Sequence, residues 1–132
     1  MTEKSLGKCL CGAVTITVAG ELGPVGYCHC TQCRRQTGLY YAATNAPLDR
    51  VSITGEENIS RYRAGAEADR AFCRICGSAL YWKGDAENTI SLMAGLFDSP
   101  TGLTGGYHIY CADKGDFYEI NDGLPQFAAS QS

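Results

Sequence analysis

The chain has no long hydrophobic run, little proline and little charge of either sign. No stretch reaches the roughly 20 apolar residues that a membrane-spanning helix requires. The opening segment, Met1 to Lys8, is polar and has no apolar run of the length found in secretion signals. Only four prolines, two histidines and one tryptophan occur in 132 residues. The net charge is −3, from 11 basic and 14 acidic residues, which does not suit a non-specific grip on nucleic acid. No helical period persists beyond a few turns, and no repeat, low-complexity block or internal boundary divides the chain. These absences lead to the expectation of one domain over residues 1–132, in the cytoplasm, away from membranes and nucleic acid. They say nothing about oligomeric state.

Against that background stands cysteine. There are eight, and in a reducing compartment they point to metal or redox chemistry more than to disulfides. Seven fall in three clusters: Cys9-x-Cys11, Cys28-x-Cys30-x-x-Cys33 and Cys73-x-x-Cys76. The densest stretch, Cys28-His29-Cys30-Thr31-Gln32-Cys33, places three thiols and an imidazole within six residues. Thiolates this close repel one another unless a cation sits among them. Cys73-x-x-Cys76 is followed by Gly77, the pattern of a metal knuckle in which a tight turn aims backbone N–H groups at sulfur.

The rest of the chain reads as short strands. Val14, Ile16 and Val18 alternate with Thr15 and Thr17, the period of a half-buried strand over Ala13 to Val18. Further strands are expected at Leu39 to Thr44, Val51 to Thr54, Ile59 to Arg63, Ala79 to Trp82, Thr89 to Ala94 and Tyr107 to Cys111. Gly20 to Gly26 reads as a turn-rich loop and Ala64 to Asp69 as a polar connection. Thr31 to Gln36 suits one or two helical turns with Gly38 as a left-handed stop. The tail from Gln126 is expected to fray. Many short strands argue for an all-β fold.

A structural metal site wants four ligands in a tetrahedron. The simplest solution joins Cys9 and Cys11 to Cys73 and Cys76. Cys28, Cys30 and Cys33 then remain as three ligands with an open position, the arrangement of a reactive zinc. His29, His108 or Cys111 are the residues that could close that position and make the second site structural too. Cys30 and Thr31 open the helical turn, where free N–H groups favour a thiolate. Arg34 and Arg35 follow directly. They are either a solvated helix face or contacts for a ligand carboxylate, which the planar guanidinium matches. Tyr40 and Tyr41 either line a pocket or pack within the sheet.

The motifs Gly7-Lys8-Cys9-Leu10-Cys11-Gly12-Ala13-Val14, Cys28-His29-Cys30-Thr31-Gln32-Cys33-Arg34-Arg35-Gln36-Thr37-Gly38 and Phe72-Cys73-Arg74-Ile75-Cys76-Gly77-Ser78 resemble the family of glutathione-dependent formaldehyde-activating enzymes, which also contains centromere protein V. Weaker likeness continues through Ala94 to Asp98 and His108 to Tyr110, so that about residues 6 to 120 are covered. The pattern departs at Phe117-Tyr118, where many relatives carry a tryptophan. The resemblance implies an all-β, Mss4-like (β-tent) fold stapled by zinc. It implies two Zn²⁺ per chain, a structural one on Cys9, Cys11, Cys73 and Cys76 and a second on Cys28, Cys30 and Cys33. The implied partners are a small thiol such as glutathione and a small aldehyde. The implied reaction is carbon–sulfur lyase chemistry, joining glutathione and formaldehyde as S-hydroxymethylglutathione. A thiol carrier without turnover and a structural two-zinc interaction module are the other readings of the same residues.

Overall fold

The computed structural model describes residues 4–130. Residues 1–3 and 131–132 of the domain expected over the whole chain lie outside the described residues. The fold is all-β, with ten strands and one short helix among the described residues. In chain order these are β1 (Lys4–Lys8), β2 (Thr15–Ala19), β3 (Val25–Cys28), α1 (Thr31–Thr37), β4 (Tyr41–Pro47), β5 (Val51–Thr54), β6 (Ile59–Arg63), β7 (Ala68–Cys73), β8 (Ala79–Gly84), β9 (Thr89–Met93) and β10 (Gly105–Ile109).

The strands form two sheets. One has three strands in the order β1-β2-β5, and the other seven, in the order β10-β3-β4-β9-β8-β7-β6. Pairing is antiparallel except between β10 and β3, which run parallel. The core lies where the small sheet covers one face of the large one. Val14, Ile16 and Val18 pack there with Ala46, Ile59, Ala71, Leu80, Ile90 and Leu92. Ile16, Leu80 and Leu92 are fully buried, and burying each such side chain contributes about 1.5–3 kcal/mol. The alternation of Ile16 and Val18 with half-buried Thr15 and Thr17 is the sequence period made visible.

Strands β5 and β6 have the expected bounds. Strands β2, β4, β8, β9 and β10 are present with ends shifted by up to three residues, and three strands are not expected from the sequence. The β1 segment KSLGK has one buried residue, Gly7, and no apolar alternation to betray it. The β3 segment begins inside what read as a glycine-rich loop. It is recruited by pairing on both sides, with β4 and with β10. The β7 segment begins within the polar connection and carries Arg70 in its interior, a charge that masks the strand pattern. The tail is also a correction. Residues 126–129 do not fray, because backbone bonds tie Phe127 to His108 and Cys111, Ala128 to Ala112, and Ala129 to Tyr110.

Candidate functional site

The first cysteine cluster stands at the junction of the two sheets. Cys9 and Cys11 come from the turn between β1 and β2, and Cys73 and Cys76 from the knuckle between β7 and β8. All four Sγ atoms lie within 4.8 Å of one another. The Cys9–Cys11 and Cys11–Cys73 sulfurs are each 3.7 Å apart. A tetrahedron with metal–sulfur bonds near 2.3 Å has edges of about 3.8 Å, so the thiols stand at the separation a metal ion would impose. The spacing is far too long for a disulfide, and the cysteines are free. The Val14 N–H donates to Cys9 Sγ at 3.4 Å. Gly77, with a φ of 81°, lets the knuckle turn back so that its N–H bonds Cys73 O at 2.8 Å.

The second cluster is built differently. Cys28 ends β3, and Cys30 is the N-cap of α1, its sulfur accepting from the Cys33 N–H at 3.3 Å. Cys33 lies buried on the inner side of that helix. Gly38, at φ 88°, ends α1 and bonds Arg34 O. The three Sγ atoms lie within 4.8 Å of one another. Among the described residues, no histidine, cysteine or carboxylate joins the trio at that distance. Without a cation the thiols compete for one negative charge. Hydrogen bonds from Cys28 and Cys33 pull Cys30 down to about 2, while Cys28 is pushed far up by Cys30 and Cys33. Three sulfurs with one cheap charge form a donor set that a thiophilic cation completes.

The residues around this trio follow from strand alternation. Cys28 and Tyr41 are direct partners across β3 and β4, Asn45 faces Ser91, Ser91 faces Trp82, and Trp82 faces Arg70. These side chains share the face of the large sheet opposite the core. With the three cysteines they line a cavity of about 630 Å³. Arg70 is its buried cation. The guanidinium bonds Cys33 Sγ at 3.4 Å through Nη2, Gln36 at 2.9 Å through Nη1 and Gln32 at 3.2 Å through Nε. Sequence reasoning missed Arg70, which sits 37 residues from Cys33, just past the segment read as a connection. A lone arginine inside a strand was the available signal.

The alternatives for the fourth position lie elsewhere. His29 points to the other side of β3 from its flanking cysteines and is fully buried. Its ring nitrogens are hydrogen-bonded to Tyr118 and His108. His108 in turn bonds Asp122. Burial is the main cause that lowers the His29 pKa to about 4, so the ring is neutral at pH 7. Tyr40 packs on His29 and Tyr118, on the side away from the cavity. Cys111 opens a 3₁₀ turn after β10 and is partly buried. Arg35 borders a second hollow of about 780 Å³ on the other side of Arg70, whereas Arg34 lines neither cavity.

No helix among the described residues is long and apolar enough to cross a membrane. A family model described as glutathione-dependent formaldehyde-activating enzyme matches residues 4–113. A Schizosaccharomyces pombe protein named as an uncharacterized lyase is 27% identical over 126 residues, covering 95% of this chain and 91% of that one. Among solved structures, a Rhodobacter sphaeroides protein aligns with a TM-score of 0.63 at 24% identity, over 95% of this chain and 99% of that chain. That likeness shows a shared fold.

Proposed function

Because the chain belongs to the family of glutathione-dependent formaldehyde-activating enzymes, we propose that it is a lyase that joins and parts a thiol and an aldehyde beside Cys28, Cys30 and Cys33. The substrates are glutathione and formaldehyde, and the product is S-hydroxymethylglutathione. The observation that carries this reading is the trio of thiols at the floor of a cavity, with no fourth protein ligand drawn to them among the described residues. Residues 1–132 are taken as one domain. Its eight thiols are all free, which suits the reducing cytoplasm.

Two Zn²⁺ per chain fit the donor sets. Cys9, Cys11, Cys73 and Cys76 would hold the first, as a staple between the sheets. Cys28, Cys30 and Cys33 would hold the second, which when bound favours the thiolate form of a thiol ligand. The chain's own residues supply the remainder. Arg70 offsets negative charge at Cys33 and draws an anionic ligand into the cavity. Of the two candidate contacts for the ligand's carboxylates, Arg34 and Arg35, Arg35 is supported by its place at the edge of the second hollow, whereas Arg34 borders neither cavity. Held in the cavity, the thiol sulfur bonds to the aldehyde carbon. The carbonyl π pair moves to oxygen, and the thiol proton ends there. The reverse breaks the carbon–sulfur bond. Fixing both partners removes much of the entropy of approach.

The test follows hemithioacetal formation from glutathione and formaldehyde with zinc-loaded protein, above the spontaneous rate. Acceleration that disappears in Cys28→Ala supports the lyase. Glutathione binding without acceleration replaces it with a thiol carrier. Neither binding nor turnover with a series of thiols leaves the structural two-zinc module.

A further inference from the structure

Tyr41 is 97% buried in effect, with only 3% of its surface exposed. Its hydroxyl is the one buried side-chain nitrogen or oxygen among the described residues that has no hydrogen-bond partner. The residue lies opposite Cys28 across β3 and β4 and lines the cavity that the three thiols close. Arg70 reaches over from β7 so that its guanidinium carbon stands 5.5 Å from the Tyr41 ring centre. The ring is therefore clamped, while the hydroxyl at its tip is unanswered. A buried hydroxyl without a partner costs stability, and such costs persist where a ligand supplies the missing group.

We propose that the Tyr41 hydroxyl is the hydrogen-bond donor to the oxygen on the ligand's reacting carbon, the hydroxyl oxygen of a hydroxymethyl thioether or the carbonyl oxygen of the aldehyde. This assignment rests on the thiol–aldehyde reading. It deepens that reading by naming the group that tells an oxygen-bearing adduct from a plain thioether. A tyrosine phenol carries its proton at neutral pH, so Tyr41 can act as a donor. Arg70 Nε, Nη1 and Nη2 are already engaged with Gln32, Gln36 and Cys33. Among the side chains that line the cavity, the phenol is the one that is both buried and unpaired, and it suits a small neutral oxygen.

The experiment compares two ligands on zinc-loaded protein by calorimetry. One is S-hydroxymethylglutathione, kept formed by excess formaldehyde. The other is S-ethylglutathione, in which a methyl of similar size replaces the hydroxyl. Wild-type protein should bind the hydroxymethyl adduct about fivefold more tightly, as one neutral hydrogen bond provides. Tyr41→Phe should bind both alike, with unchanged affinity for the ethyl thioether. The same preference in both proteins overturns the assignment. A second readout needs no turnover and no thiol. With ¹³C at the tyrosine ring carbon bearing the hydroxyl, the Tyr41 signal is identified by its loss in Tyr41→Phe. It should shift with the hydroxymethyl adduct and not with S-ethylglutathione. If neither glutathione ligand binds, the glutathione reading falls. Formaldehyde hydrate alone then decides for Tyr41: a shift sustains the assignment, and no shift overturns it. Ligand-free Tyr41→Phe should melt no lower than wild type, because phenylalanine keeps the ring and removes only the unanswered hydroxyl. A clearly lower melting temperature would reveal a structural bond and also overturn the assignment.

Discussion

His29 Nε2 lies 2.8 Å from His108 Nδ1, although 79 residues separate the two along the chain. On the far side of His29, Nδ1 is 2.5 Å from the Tyr118 hydroxyl. On the far side of His108, Nε2 is 2.7 Å from Asp122 Oδ2. One proton arrangement satisfies all four groups with both rings neutral. Tyr118 donates to His29, His29 donates to His108, and His108 donates to Asp122. The row pins the segment after β10 against the stretch that carries the three thiols. It also accounts for an imidazole between two cysteines that turns away from the three thiols.

Tyr118→Phe removes the first donor of this row and leaves His29 Nδ1 buried without a partner. The expected cost is about 1–2 kcal/mol of stability, read from denaturant unfolding. Amide exchange should quicken at Phe127 and His108, whose N–H groups hold the C-terminal segment in place. Metal content should not change.

The two cysteine clusters should respond differently to loss of one ligand. Cys76→Ala opens the site that joins the β1–β2 turn to the β7–β8 knuckle. The protein should lose its sheet signal in circular dichroism at ambient temperature, because a metal held there would supply folding free energy. Cys28→Ala should stay folded, and its zinc content should fall from two per chain to one.

Arg70→Gln removes the cation that bonds Cys33 Sγ and keeps a polar side chain of similar reach. A hydrogen bond to a charged group is worth about 1.5–3 kcal/mol. Glutathione affinity, measured by calorimetry, should therefore fall at least about tenfold. Unchanged affinity would show that Arg70 serves the sheet alone.

Arg35→Ala should weaken glutathione binding by about fivefold or less, the size expected of an exposed ion pair. It should leave cysteamine, a thiol without a carboxylate, unaffected. Equal weakening of both ligands would place Arg35 outside carboxylate recognition. Arg34→Ala, which borders neither cavity, serves as the neighbouring control.

The sequence by itself determined the local features. Spacing alone marked Cys9-x-Cys11, Cys28-x-Cys30-x-x-Cys33 and Cys73-x-x-Cys76 as ligand clusters, since two or three thiols within one turn can reach a common ion. Alternation in Val14 to Val18 placed β2 on the core, and Gly38 placed the end of α1. Tertiary structure decided what depends on register between distant strands. It chose Arg70 as the buried cation beside Cys33, set Tyr41 on the cavity face and Tyr40 on the other, and brought Tyr118 and Asp122 to the two histidines. It made strands of Lys4–Lys8 and Val25–Cys28, whose own residues carry little strand signal, because neighbouring strands satisfy their backbone groups. A strand's two faces are exchanged by a single-residue slip. Which side chains meet over the thiols was therefore settled only when β3, β4, β9, β8 and β7 came into register.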